Sequence, residues 1–383
     1  MRILHTSDWH LGRTFHRESL LGAQAAFIDH LVETVRAERI DVVAVAGDLY
    51  DRALPPVDAV RLLDEALRRI RDTGARAVLI SGNHDSMVRL DYGSGLIDAA
   101  GVHLRSSLDG VGSPVLIEDG HGPVAFYGIP YLEPELARPY WGLSERGHPA
   151  VLGHAMDLVR ADLAARPAGT RSVVLSHAFV TGGSPSDSER DISVGGAAHV
   201  PAALYDGADY VALGHLHGRQ RMSETVRYSG SPIAYSFSEE HQVKGCWIVE
   251  LDRDGAVRAE FAEAPVERPV ARVSGRLEEL LADPGLESRT GHWLEVTLTD
   301  PVRPERPMER LRERFPHTLH LVFEPEDAPG AGDRPWAHRP ADRAESDLVF
   351  DFVDWARGAP ASAEERKLVR TALEELRIKE ASA

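Results

Sequence analysis

The stretch Val211–Ala212–Leu213–Gly214–His215–Leu216–His217 constrains this chain more than any other. Its apolar start predicts a buried strand, and its end offers two histidines at i and i+2. Side chains of extended backbone alternate between faces, so residues two apart point the same way. Both imidazoles can therefore address one spot, which is half of a metal site. The other half has to come from elsewhere in the chain.

Strands are expected at Arg2–Thr6, Val42–Ala46, Ala77–Ser81, Val124–Ile129, Val173–Ser176 and Tyr210–Leu213. Between them lie amphipathic helices at Ala23–Glu38, Val57–Asp72 and Val151–Arg166, the first with Phe27, Leu31 and Val35 at helical spacing. The alternation predicts an α/β fold, in which ligands bind outside the carboxyl ends of the strands. Ligand-type residues stand there. Asp8 and His10 follow the first strand, Asp48 the second, and Asn83, His84 and Asp85 the third; His177 ends the fifth, and His215 and His217 the last. Gly47, Gly82 and Gly214 lie beside them, where the lack of a Cβ lets backbone approach closely.

Asp, Asn and His without thiolate suit Mn²⁺, Fe or Zn rather than Ca²⁺. Seven ligands (Asp8, His10, Asp48, Asn83, His177, His215 and His217) are too many for one tetrahedral ion and suit two ions sharing a carboxylate. Two ions about 3.5–4 Å apart can bind a phosphate, generate hydroxide and hold attacking and leaving oxygens in line. Each piece alone is an ordinary polar strand end; the ordered set carries the argument. His16 and His199 are expected to have satisfied polar roles.

Composition narrows the setting. A net charge of -17 excludes a broadly basic nucleic-acid surface, so a DNA substrate would need metal ions, local arginines or a partner for its positive field. The single Cys246 excludes an internal disulfide framework and fits a reducing compartment. No apolar run nears the roughly 20 residues that span a bilayer, and Met1–Gly12 lacks the apolar region of a signal peptide. The expectation is a cytoplasmic protein with no membrane contact.

Beyond His217, antiparallel strands are expected at Val226–Ser229, Lys244–Leu251 and Val257–Ala262. The chain then divides, in this reading, into a catalytic domain (1–264), a small α+β capping module (265–326), a Pro- and Gly-rich linker (327–341) and a helical tail (342–383). The module is expected to run strand, helix, strand, helix, strand, from Ala271–Val273 through Trp293–Leu298 to Thr318–Phe323. The tail offers amphipathic helices at Asp347–Trp355, with Leu348, Phe352 and Trp355 on one face, and at Ala363–Leu376, with Leu373 and Leu376. Thr181–Ala198 is a Gly/Ser/Pro-rich loop, long for a compact domain and of the kind that is functional or mobile.

The order Asp-x-His, Gly-Asp, Gly-Asn-His-Asp, His, Gly-His-x-His resembles the calcineurin-like metallophosphoesterases. Within them the chain is similar to nuclease subunits of double-strand-break repair complexes. That narrower likeness rests on Thr6–Gly12 (TSDWHLG), Ala46–Asp51 (AGDLYD), Ser188–Arg190 (SER), Asp209–His217 (DYVALGHLH), Tyr228–Pro232 (YSGSP) and Ser236–Glu239 (SFSE). The resemblance implies an αββα sandwich and two divalent ions, most typically Mn²⁺. Asp8, His10, Asp48 and His217 would hold one ion, and Asp48, Asn83, His177 and His215 the other. It further implies that His84 serves the leaving 3′-oxygen as proton donor or stabiliser, with Asp85 orienting that imidazole; the alternative role of Asp85 is to cap the turn. The implied activity is 3′–5′ exonuclease action on duplex ends and endonuclease action on single strands and hairpins. The implied partners are DNA, an SMC-type ATPase, and a second copy of the chain within a heterotetramer, paired through Val57–Ile70 or the Tyr92–Ala99 region. Leu348, Phe352, Trp355, Leu373 and Leu376 would then dock on the ATPase's coiled coil. Two alternatives remain at this stage: a phosphoesterase for cyclic nucleotides or other small diesters, which the acidic balance favours mildly, and a non-catalytic scaffold.

Overall fold

The computed structural model describes residues 1–190, 192, 199–326, 344–357 and 359–381, so the expected linker 327–341 and the end of the 181–198 loop lie outside the described residues. The chain forms two compact units, Met1–Val270 and Ala271–Ala383.

The first unit is built on short, β-branched apolar strands: β1 (Arg2–Thr6), β2 (Val42–Ala46), β3 (Arg76–Ile80), β4 (Val102–Arg105), β5 (Val115–Asp119), β6 (Gly122–Ile129), β7 (Arg171–His177), β8 (Tyr210–Gly214), β9 (Gln220–Arg221), β10 (Val226–Tyr228), β11 (Gly245–Leu251) and β12 (Val257–Glu263). They make two six-stranded sheets, ordered β12-β11-β1-β2-β3-β4 and β9-β10-β8-β7-β6-β5. The strands that carry the ligand-type residues, β1 to β3 and β7 to β8, run parallel to their neighbours among them. Strand β2, Val-Val-Ala-Val-Ala, is buried throughout, as expected of a parallel strand covered on both faces.

Three apolar layers hold the sandwich. Between the sheets, Ile3, Val42, Ala44, Val78 and Ile80 meet Val124, Phe126, Val173, Leu175 and Ala212. On the outer face of the first sheet, Leu4, Val43, Val45 and Leu79 pack on helices α1 (Leu21–Ala37) and α2 (Val57–Asp72) through Phe27, Leu31, Leu63 and Ile70. On the outer face of the second, Tyr127, Val174 and Leu213 pack on α3 (His148–Ala164) through Leu152, Ala155 and Val159. The result is an α-β-β-α sandwich. One polar bridge crosses the middle layer: His5 on β1 donates from Nε2 to Leu213 O (3.0 Å) and accepts at Nδ1 from the Tyr210 hydroxyl (2.9 Å).

The region after His217 departs from the expected meander. β10 runs parallel to β8, Val211 opposite Val226, and is antiparallel only to the two-residue β9. β11 then crosses to the other sheet and pairs antiparallel with β1, Arg2 opposite Glu250, with β12 as its hairpin partner. The edge strands β4 and β5 are absent from the sequence reading.

In the second unit, β13 (Val270–Gly275), β14 (Trp293–Leu298) and β15 (Thr318–Phe323) form a sheet in that order, with α4 (Leu277–Ala282) and α5 (Pro307–Arg314). Ala271, Leu280, Val296, Leu311 and Phe315 make its core. The tail helices α6 (Glu345–Arg357) and α7 (Ala363–Ala381) are pinned by an Arg357–Glu365 ion pair. Among the described residues of α6, Phe350 is buried, with the guanidinium groups of Arg366 and Arg370 at 5.0 and 5.8 Å from its ring. Phe352, Trp355 and Leu376 are exposed at 47%, 40% and 52%.

Candidate metal centre

The ends of β1, β2, β3, β7 and β8 come together by backbone pairing outside the strands. Asp8 N donates to Gly47 O (3.0 Å), His10 N to Asp48 O (2.9 Å) and Ala178 N to Gly214 O (3.3 Å). A Cβ on Gly214 would run into Ala46 O, one on Gly47 into the His177 ring and one on Gly82 into the Asp48 carboxylate. These glycines are what the close approach requires. Asp8, His10, Asp48 and His215 all adopt positive φ (54°, 45°, 50° and 109°), a region non-glycine residues seldom visit. Such outliers persist where surrounding structure holds them, typically at functional sites.

Asp8, His10, Asp48, His177, His215 and His217 are buried side by side, with Asn83 half-buried among them. The carboxylate of Asp48 is central. Its Oδ2 lies 3.5 Å from His10 Nε2, 3.6 Å from His177 Nε2 and 4.0 Å from His84 Nε2. Three compact sets could each hold an ion: Asp8–His10–His217, His10–Asp48–His84 and Asp8–Asp48–His177.

Tautomers follow from the fixed partners. His177 Nδ1–H donates to Ala46 O (2.9 Å), which leaves its Nε2 lone pair 2.9 Å from Asn83 Oδ1. His215 Nδ1 approaches the same oxygen at 3.2 Å. At the other side His217 Nε2 faces His10 Nε2 at 3.1 Å, and the buried His10 Nδ1 has no hydrogen-bond partner among the described residues. Acceptors thus converge on acceptors with few protons to share, around two buried carboxylates. Burial, then the Asp48 charge, pushes the Asp8 carboxyl well up, and burial pushes the His10, His177 and His215 imidazoles down toward the neutral, ligating form. This donor set fits divalent cations.

His84 sits at the rim of this cluster. Its amide donates to Asp48 Oδ1 (2.8 Å), and its Nδ1–H to Asp51 O (2.8 Å), so Nε2 is the nitrogen turned toward Asp48. The expected orienting role of Asp85 is corrected here. The Asp85 carboxylate accepts backbone N–H bonds from Leu49 (3.0 Å), Tyr50 (2.9 Å) and Gly82 (3.0 Å), tying the β3 turn to the β2 turn. With its oxygens spent on three amides it makes no bond to the imidazole. Burial and the neighbouring Asp48 still push it up to about 7.

Several residues that serve the site stand outside the predicted ligand set. Gln24 Nε2 donates to Trp9 O and His10 O, fixing the strained first turn. The Tyr235 ring packs edge-on at 5.2 Å from His10 and 5.4 Å from His217. Ser188, Glu189, Glu239 and Lys244 gather behind His217. The sequence signals were the SFSE segment, which holds Glu239, and a lysine at 244 in a chain with so few. His16 lies against Phe15 and Phe237, and His199 against Phe179.

Residues 1–219 match the calcineurin-like phosphoesterase family, and residues 266–348 match SbcD_C, described as the type 5 capsule protein repressor C-terminal domain. Among solved structures, a dimetal phosphatase from Danio rerio is 14% identical, covering 70% of this chain and 97% of its own, with a TM-score of 0.41. The protein TT1561 of Thermus thermophilus is 13% identical, covering 69% and 99%, with a TM-score of 0.40. Among the described residues no helix is long and apolar enough to cross a membrane. With its first match spanning more than half its length, the chain belongs to the calcineurin-like phosphoesterases, metal-dependent hydrolases of phosphate esters.

Proposed function

We propose that this chain is a Mn²⁺-dependent DNA nuclease that cuts phosphodiesters at a pair of metal ions. Asp8, His10, Asp48 and His217 would hold one ion, and Asp48, Asn83, His177 and His215 the other. The observation that carries the reading is the Asp48 carboxylate, which reaches toward imidazoles of both ligand groups. When bound, such a pair supplies hydroxide and charge stabilisation along the line of displacement.

The chain's own residues do the rest. Asp48 would be the shared carboxylate, and the strained turns at Asp8, Asp48 and His215 keep the ligands preorganised. His84, its Nδ1–H committed to Asp51 O, turns Nε2 to the site, and as an imidazolium it would carry there the proton that goes to the leaving 3′-oxygen. The reading extends to 3′–5′ exonuclease action on duplex ends and endonuclease action on single strands and hairpins. It places the chain in the cytoplasm beside an SbcC-like, SMC-type ATPase, with 265–326 as capping module and 342–383 as docking tail. The exposed Leu376, with Phe352 and Trp355 presented outward, gives that tail an apolar surface for a coiled coil. Val57, Val88, Tyr92 and Leu96, all exposed, suit pairing of two copies.

The test is degradation of a blunt duplex and a hairpin against hydrolysis of bis(p-nitrophenyl) phosphate, in Mn²⁺ and in Mg²⁺, with and without the ATPase. Metal-dependent loss of duplex is expected. Turnover of the small diester alone, with DNA untouched under every condition, would return the protein to the small-substrate phosphoesterases.

A further inference from the structure

The two sides of the metal centre orient their histidines differently. His177 is aimed by a main-chain carbonyl at the end of β2, part of the sheet itself. His217 is aimed by side chains. Its Nδ1 lies 2.6 Å from Ser188 Oγ, which is 2.5 Å from Glu239 Oε1. A carboxylate can only accept, so the Ser188 hydroxyl donates to Glu239 and takes the Nδ1–H of His217 on its lone pair. The lone pair at His217 Nε2 is thereby directed at the site.

Behind Glu239 stands Lys244, one of the chain's few lysines and almost fully buried. The three protons of its ammonium are shared among four acceptors, Glu239 Oε2 (2.5 Å), His217 O (2.9 Å), Ser231 Oγ (2.9 Å) and Gln242 Oε1 (2.8 Å). Glu239 is itself buried, one carboxylate oxygen facing this ammonium and the other the Ser188 hydroxyl. A buried ion pair contributes little to stability compared with an apolar pair of equal volume, so its presence calls for another use.

The loop at 184–190 is tied to the same carboxylate and to the same histidine. Ser186 Oγ also reaches Glu239 Oε1 (3.3 Å), Asp187 N donates to Ser238 Oγ (2.9 Å), and Glu189 Oε1 accepts the backbone N–H of His217 (2.7 Å). Ser188 reaches His217 only from a loop seated this way.

Resting on the metal-pair reading, we infer that Ser188, Glu239 and Lys244 are positioning residues that set the tautomer and aim of His217, so that one ion of the pair is held through the seated 184–190 loop while the other is held by the sheet framework alone. Partners of this kind behind a metal-binding histidine affect metal affinity by about 10–100-fold.

The experiment is calorimetric titration of the full-length, chelator-stripped chain with MnCl₂, alongside thermal unfolding of the metal-free protein. The wild type is expected to show two Mn²⁺ sites. Ser188→Ala, at a half-buried position, should unfold at the wild-type temperature yet weaken one site about 10–100-fold and leave the other unchanged. Ser188→Thr, which keeps the hydroxyl, should restore most of the loss, and Glu239→Gln should reproduce the Ser188→Ala pattern. Two sites of wild-type affinity in Ser188→Ala, or equal weakening of both, would overturn the inference. A wild-type chain that takes up no Mn²⁺ would overturn the metal-pair reading beneath it.

Discussion

The pocket of the first unit and the tail of the second break the ordinary rule of burial in opposite directions. In the pocket, carboxylates and imidazoles that belong in water are sealed inside, on turns with positive φ. In the tail, Phe352, Trp355, Leu368 and Leu376, which belong inside, are exposed on regular helices. Buried polar groups are tolerable when something neutralises them, and exposed apolar groups are useful when something covers them. The pocket asks for cations and the tail for a protein surface. If that contrast is right, damage to one should leave the other intact.

The largest effect is expected from Asp48→Asn. Removing the shared charge should empty both ion positions and take hydrolysis of any phosphodiester to background, while binding of the ATPase partner persists; elemental analysis beside a pull-down checks both. His84→Gln comes next. It should keep two ions per chain and lower nuclease turnover by about 10²–10⁴-fold, the usual contribution of a general acid. Metal loss in step with activity would make His84 a ligand instead. Deleting 342–383 should give the mirror image: partner binding lost, Mn²⁺-dependent hydrolysis of a small diester retained. Loss of hydrolysis in that truncation would mean the two regions are one structure.

A smaller effect concerns the frame beneath the pocket. Burial holds the His5 imidazole neutral, its pKa lowered to about 3, in the bridge between the sheets. The unfolded chain takes up that proton near pH 6.5, so His5 costs stability as pH falls from there toward 3, by about 1.4 kcal/mol per unit. His5→Gln should flatten that part of the curve of stability against pH. Parallel curves for the two proteins, measured by denaturant unfolding between pH 6.5 and 4, would show that His5 carries none of it.

The pocket was legible in the sequence because its chemistry demands rare residue types at strand ends, flanked by glycines with no room for a Cβ. The parallel strands were legible because β-branched runs such as Val42–Ala46 have no other use. What escaped depends on long-range geometry. Val102–Arg105 carries a histidine and an arginine on a four-residue edge strand, too short and polar to read as sheet. The crossing of Gly245–Leu251 to the first sheet is fixed by pairing with Arg2–Thr6, some 240 residues away in sequence. Asp85 reads as a partner for the adjacent imidazole, yet three amides claim it first. In the tail, helical spacing pointed to Phe352 and Trp355, which are exposed, but the burial of Phe350 depends on Arg366 and Arg370 of the next helix.

The central claim is tested most directly by anomalous scattering from a crystal of the full chain soaked in Mn²⁺. The account predicts two peaks in the pocket with the Asp48 carboxylate between them. A single peak, or two that do not share Asp48, would contradict it.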